Sequence, residues 1–369
     1  LFVISITFAS TIFFLKNILM KNAYYFILII AFGTIVSCSR SEENVSLYPP
    51  TEAIIVDELV REASLRNQEI PFKIINEDGD DLSLEATFYV DGVAINGNIF
   101  ISETVGEFQV YGVYTDNGVI VTTNTEVFRV IVPKRKVVLE DYTGTWCGFC
   151  PIITAAIEEV HALTNDIAIV AIHETGSGDL DLLNFPQVDE LREVFGVTGY
   201  PTGKINRTTN WLATYNPEDV LLMAGTDTNL AIAINSELSD TNELVVEVEV
   251  VYEDGSMSGD KLVVYLLESG VIQDQVNYFN NDETSPYYQL GNPIPNFVHN
   301  DGLRNSLTNL TGDEISGTAA LISSRRTFSL IVPENYNNEN LSIVAMVVSS
   351  DNSARNAQFA EVGENKSYE

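Results

Sequence analysis

Two cysteines separated by two residues, Cys147 and Cys150, stand between a predicted buried strand and a predicted helix. The stretch before them, KVVLEDY at 136–142, has the apolar character of a strand. After them, residues 152–163 repeat apolar side chains at helical spacing, with polar side chains opposite. Because the strand runs directly into the helix, we predict that both sulfurs lie at the N-terminal end of that helix.

A cysteine pair of this kind has three interpretations. Zinc needs about four ligands, and the chain offers only three histidines, none at metal-site spacing, so no metal is predicted. A structural disulfide across two residues closes a very short loop and removes little chain entropy. Redox chemistry gains from a helix N-terminus, because its partial positive charge and free N–H groups favour a thiolate. We therefore favour a redox function for the pair, and a structural disulfide remains the alternative interpretation.

The first 37 residues read as a secretory signal whose true start we expect at Met20. An apolar run follows Lys21 and ends at Ile35, Ser37 and Cys38, which resembles a lipobox. That resemblance implies that Cys38 becomes a lipidated N-terminus that holds the protein at the membrane, with 38–50 as a tether. The alternative is an uncleaved membrane helix, since the run is almost long enough to span a bilayer. In both cases the rest of the chain lies outside the inner membrane.

The composition excludes one class of partner and permits several domains. With 52 acidic and 19 basic residues, the formal charge is -33, and nucleic-acid binding depends on basic groups that neutralise phosphates. No nucleic-acid partner is therefore predicted. A chain of 369 residues with 45% hydrophobic residues can bury two or three cores.

The pattern of apolar residues divides the chain after the tether into three parts. Residues 51–133 alternate apolar and polar side chains between turn dipeptides, which has the look of an immunoglobulin-like β-sandwich. Residues 134–227 alternate strands and helices and form a predicted α/β domain. Residues 228–369 return to strands and form a second sandwich-like domain, in which HNDGLRNSL is predicted as a short helix or loop.

The stretches DYTGTWCGFC and VFGVTGYPT, in this order, resemble thioredoxin. The resemblance implies that Cys147 is the nucleophile, Cys150 the resolving thiol and Asp141 the buried acid that helps to move its proton. It also implies a cis bond between Tyr200 and Pro201, with the proline packed against the disulfide. The family uses no cofactor, and none is predicted here.

Other residues around the motif adjust this interpretation. Trp146 precedes the pair and can cover one side of it. His173 ends the strand at 167–173, either as a modulator of the thiolate or as a satisfied structural side chain. Phe149 replaces the usual proline of thioredoxin and resembles bacterial disulfide isomerases. Pro151 lacks an N–H, so the carbonyl of Cys147 loses a helix hydrogen bond.

The lipobox, LEDYTGTWCGFCP and NFVHNDGLRNSLTNLTGDEI together are similar to the outer-membrane protein family named for a twenty-eight-kilodalton lipoprotein. This looser resemblance covers 38–369 and implies an outer-membrane location, with surface exposure left open. Two functions follow. One is an anchored thiol-disulfide oxidoreductase, of the reductase or isomerase type, that acts on extracytoplasmic protein thiols or disulfides. The other is a surface binding or adhesion protein that uses the thioredoxin fold as a scaffold.

Overall fold

The computed structural model describes residues 53–55, 63–75, 79–116, 118–176 and 180–369. The predicted signal segment, Cys38 and the tether lie outside these residues. The described part is mostly β-sheet. Its helices are α1 (Pro151–Leu163), α2 (Val188–Phe195), α3 (Glu218–Leu221) and a 3-10 turn at Asn338–Asn340. Over the described ranges, the helices are all too short or too polar to cross a membrane.

The described residues of the N-terminal part form nine strands in two sheets. The strands are β1 (Ala53–Ile55), β2 (Ala63–Leu65), β3 (Ile70–Ile74), β4 (Thr87–Val90), β5 (Val93–Ala94), β6 (Ile99–Phe100), β7 (Gly106–Asp116), β8 (Val119–Thr122) and β9 (Glu126–Ile131). One sheet has the order β2-β9-β7-β4-β5 with β8 beside β7, and the other has β1-β3-β6. Both contribute to one core around Phe72, Phe88 and Phe128. This arrangement fits the predicted immunoglobulin-like sandwich.

The central part alternates strands and helices as the sequence predicts. Its strands are β10 (Val137–Thr143), β11 (Ile167–His173), β12 (Thr202–Ile205) and β13 (Thr209–Trp211), in the sheet order β13-β12-β10-β11. Strands β10 and β11 are parallel, whereas β12 runs antiparallel to β10. Every residue of β10 is buried, including Glu140 and Asp141, so both faces of this strand are covered.

The C-terminal part supplies eleven strands. They are β14 (Leu230–Leu238), β15 (Glu243–Tyr252), β16 (Lys261–Glu268), β17 (Val271–Gln275), β18 (Ile294–His299), β19 (Gly302–Ser306), β20 (Asp313–Glu314), β21 (Ser324–Ile331), β22 (Leu341–Val348), β23 (Ala354–Glu361) and β24 (Asn365–Lys366). Strands β21-β15-β14-β24 form one sheet and β17-β18 a hairpin. Strands β19-β16-β22-β23 continue outward from β11, and β20 pairs with β16.

The prediction of a helix or loop at HNDGLRNSL was wrong, because most of it is strand β19. Its polar side chains give no apolar alternation, so the sequence pattern did not predict a strand here. One of them, Arg304, forms a buried ion pair with Glu268 at 2.6 Å. Gly302 pairs in parallel with Ala171 of β11, while β19 runs antiparallel to β16. This strand therefore joins the central and C-terminal strands into one nine-stranded sheet, which crosses the predicted boundary at 227/228.

Candidate functional site

The two cysteines lie where strand β10 leads through a short loop into α1. Their sulfurs form a disulfide with an S–S distance of 2.07 Å. Cys150 is the residue that precedes the helix, whose first residue is Pro151. The side chains are almost fully buried, with exposed fractions of 5% for Cys147 and 1% for Cys150. Phe149 between them is exposed. The pair thus occupies the predicted position at the helix N-terminus.

Trp146 and Tyr200 bring the second motif beside the first. Their rings meet edge to face, with centroids 5.5 Å apart, and the peptide bond between Tyr200 and Pro201 is cis, as the resemblance implies. The indole N–H of Trp146 donates to the carbonyl oxygen of Glu174 at 2.7 Å. The carboxylate of Glu174 accepts from the Tyr200 hydroxyl and pairs with Arg192 at 3.1 Å. Burial and this carboxylate together raise the pKa of Tyr200.

Asp141 is buried in β10 without a compensating charge. Its exposed fraction is 3%, and Oδ1 has no hydrogen-bond partner. Because burial penalises the charged form, the pKa of Asp141 lies well above its ordinary value. A carboxyl with a raised pKa can donate a proton in its protonated form and accept one in its ionised form.

Asp141 lines a cavity of about 110 Å³. This volume has room for about three water molecules. The chain has three histidines, and all of them line this cavity. They are His161, His173 and His299, and Asp301 and Gln275 also contribute to the wall. Burial raises the pKa of Asp301 to about 6, whereas burial and the neighbouring His173 lower the pKa of His299 to about 4.

His173 contacts the cysteine loop through an aspartate. Its Nδ1 lies 2.9 Å from Asp181 Oδ2, which also accepts from the backbone N–H of Thr145 at 2.9 Å. Burial acts to raise the pKa of Asp181, but the hydrogen bonds from His173, Thr145 and Leu183 hold it below its ordinary value. His173 therefore supports the loop that precedes the cysteines, which agrees with the structural interpretation of this residue.

Sequence reasoning missed the segment that covers the other side of the disulfide loop. Gln275, in β17, donates from Nε2 to the carbonyl oxygen of Cys147 at 3.0 Å. Tyr278 donates its backbone N–H to the carbonyl oxygen of Gly148 at 2.9 Å. Pro151 gave one signal, because a proline at this position leaves the Cys147 carbonyl in need of a donor. Nothing in the sequence indicated that the donor stands 128 positions later.

In the part of the chain that the structure describes, no three His, Cys, Asp or Glu side chains are grouped as a metal site.

Comparison with known proteins finds a family similarity in the C-terminal part. Residues 188–366 match the family model for the outer membrane protein Omp28. This segment is similar to that family. The match starts after the cysteine motif, so the thioredoxin-like part of the resemblance stays a prediction. This similarity to an outer-membrane family agrees with the predicted location in the cell envelope. No curated protein matches the chain significantly.

Solved structures give distant similarities. HBP35 of Porphyromonas gingivalis has 16% identity and a TM-score of 0.47, with 63% of this chain and 77% of that chain covered. A domain of the outer membrane lipoprotein Omp28 from the same organism has 19% identity and a TM-score of 0.24, covering 38% and 92%. The fibronectin(III)-like modules of Clostridium thermocellum CbhA have 8% identity and a TM-score of 0.23, covering 85% and 94%.

Proposed function

We propose that this chain is a thiol-disulfide exchange protein of the outer membrane, anchored by lipid at Cys38, in which residues 134–227 form a thioredoxin-like domain. The observation that carries the proposal is the combination of two features. A disulfide lies at the N-terminus of α1, and strand β10, which leads to it, contains the buried carboxylic acid Asp141 with an unpartnered oxygen. A structural disulfide has no need of such an acid, because a buried carboxyl without partners costs stability.

The exchange follows from the two thiols of the reduced form. The Cys147 thiolate attacks one sulfur of a partner disulfide, which forms a mixed disulfide and releases the partner's other sulfur as a thiolate. Cys150 then attacks Cys147, so the Cys147–Cys150 bond forms and the partner leaves with both thiols reduced. Two electrons pass from this protein to the partner. The ionised form of Asp141 takes the proton of Cys150 in this step, and the protonated form returns it in the reverse direction.

The surroundings of the motif define how a partner reaches it. Trp146 and Tyr200 form one wall, and Phe149 is exposed between the two cysteines. The cavity beside Asp141 gives its proton a polar path through water toward the histidines. Pro201, beside Tyr200, is expected to meet the partner chain, as the resemblance to thioredoxin implies.

A trapping experiment tests the proposal. Cys150→Ser leaves the nucleophile but removes the thiol that resolves the mixed disulfide, so partners should accumulate on Cys147 in the native envelope. Non-reducing gels followed by mass spectrometry would identify them, with the double variant Cys147→Ser, Cys150→Ser as the matched control. If Cys150→Ser traps no more protein than the double variant, exchange is excluded and the scaffold hypothesis gains.

The lipid anchor has a separate test. Cys38→Ala should yield a protein that is exported but carries no label from a fatty-acid probe. Retained label and unchanged processing would exclude lipidation at this position.

A further inference from the structure

The carbonyl oxygen of Cys147 is held by a side chain from the C-terminal half of the protein. In a regular helix this carbonyl would accept from the N–H four residues later, but that residue is Pro151. It accepts instead from the N–H of Cys150 at 3.1 Å and from Gln275 Nε2 at 3.0 Å. Gln275 is 3% exposed, so water cannot readily replace this donor.

Further contacts continue along the same segment, residues 275–278, which we call the clamp. The backbone N–H of Val276 donates to the carbonyl oxygen of Thr145 at 2.8 Å, and that of Tyr278 to the carbonyl oxygen of Gly148 at 2.9 Å. The Tyr278 ring lies directly over Gly148, where a Cβ atom would come within 2.4 Å of it. The clamp therefore occupies the carbonyl oxygens of Thr145, Cys147 and Gly148. An extended partner chain cannot use these oxygens as hydrogen-bond acceptors on this side.

The clamp is itself fixed in place. Asn277 is fully buried, and its Nδ2 donates to the carbonyl oxygens of Tyr287 and Gly291 at 3.0 and 2.9 Å. Its backbone N–H donates to Asn292 Oδ1 at 2.9 Å. On the other side, Gln275 pairs with Ile294 in the β17-β18 hairpin. These hydrogen bonds fix the clamp in position as one side of the disulfide site.

We infer that Gln275 is a positioning residue for the Cys147–Cys150 pair and that Tyr278 closes one side of the pair to bulky reactants. This inference rests on the proposed function only in assuming that the pair can be reduced and reoxidised. Partners then reach the sulfurs from the side of Trp146 and Tyr200. The redox properties of the central motif thus depend on a segment that lies within the Omp28-matching half.

The direction of the effect follows from the reaction with glutathione. Two glutathione thiols reduce the protein disulfide, and the products are the protein dithiol and one glutathione disulfide. The bonds from the clamp hold the loop so that the two sulfurs stay close, which favours the protein disulfide. Without them the two thiols meet less often, so the disulfide becomes easier to reduce.

The full-length chain with Gln275→Leu tests this point. The reduced fraction, measured across glutathione buffers, should give an equilibrium constant roughly three- to tenfold more favourable to the dithiol, and tenfold corresponds to about 30 mV. Gln358→Leu is the matched control, because Gln358 is also buried and donates to two backbone carbonyls, those of Ile232 and Ser367. If both variants leave the constant unchanged, or both change it equally, Gln275 does not position the pair.

The second variant, Tyr278→Ala, keeps the inference testable if Gln275→Leu does not fold. In the reduced protein, alkylation of Cys147 by a polymer-linked maleimide should accelerate at least threefold relative to iodoacetamide, whereas Tyr278→Phe should behave like the natural protein. An unchanged ratio would show that Tyr278 blocks nothing. Neither measurement uses a protein partner, so failure of the trapping experiment and failure of this inference are distinguishable.

Discussion

Two neighbouring residues of strand β10 place carboxylates on opposite faces of the same sheet, in opposite environments. Glu140 forms an ion pair with Arg207 at 3.0 Å, and both side chains are completely buried. On the other face, Asp141 has an unpartnered oxygen and a raised pKa. Arg207 also donates to the Tyr265 hydroxyl at 2.8 Å, which extends the network into the C-terminal strands.

The comparison distinguishes two roles. Glu140 carries a paired charge that stabilises the fold, whereas Asp141 is an acid that can react. On the Glu140 face the charge is paired with Arg207 within the central part, and the hydrogen bond from Arg207 to Tyr265 links this pair to the C-terminal strands. Lys204, directly opposite Glu140 on β12, belongs to this face and donates to the carbonyl oxygen of Phe195 at 2.7 Å. The Asp141 face borders the cavity. Burial of an uncompensated acid costs stability, and such costs are common at functional sites.

The largest expected effect is on the paired face. Arg207→Met leaves Glu140 as a buried charge without its partner, which typically costs about 3–5 kcal/mol. Urea unfolding should measure this loss in the free energy of unfolding. Arg66→Met removes an exposed partner of Glu253 and should change the stability far less. Equal losses in the two variants would contradict the structural role of the Glu140–Arg207 pair.

A smaller effect concerns His299 on the cavity face. Its pKa of about 4 in the folded state lies below the value of about 6.5 in the unfolded state, so the unfolded chain binds the proton more tightly. Its contribution to stability is complete above pH 6.5 and is lost as the pH falls toward 4, by up to about 3 kcal/mol.

His299→Gln should therefore flatten the acid side of the stability curve. Because Asp141 and Asp301 on the same cavity have raised pKa values and oppose this trend, the quantity to compare is the difference between variant and natural protein at each pH. If the difference in the free energy of unfolding between His299→Gln and the natural protein is the same at pH 4 and pH 7, the lowered pKa of His299 is refuted.

The last comparison concerns the sign of the effect, which we expect to be opposite for the two carboxylates. Asp141→Asn should stabilise the protein at pH 7, because the raised pKa makes the folded state less stable as the pH rises above the unfolded value of about 3.9. Each unit of that shift is worth about 1.4 kcal/mol. The gain should disappear near pH 3, where both states hold the proton.

Glu140→Gln is the matched change one residue earlier and should destabilise, because it leaves Arg207 buried without a counter-charge. Thermal unfolding of both variants at pH 7 gives the comparison. If Asp141→Asn lowers the stability as Glu140→Gln does, the buried acid is structural and its proposed part in exchange fails.

Much of the central segment could be predicted from local patterns. The apolar start of β10, the helical spacing of α1 and the cysteines between them are consecutive in sequence, so the local pattern predicts these elements. The cis bond at Pro201 could be expected from the resemblance of VFGVTGYPT to a known turn. Strand β19 could not, because its polar residues are satisfied by partners such as Glu268, which the sequence does not place beside them.

The amino-acid sequence by itself determined where the cysteine pair stands and which local elements flank it, since periodicity and proline act within a few residues. It also showed that the carbonyl of Cys147 would lack a helix donor. Only the tertiary structure decided that Gln275 supplies this donor, that Arg207 pairs with Glu140, and that Asp141 has an unpartnered oxygen. The first two outcomes depend on contacts between residues 128 and 67 positions apart, which the packing of the tertiary structure brings together.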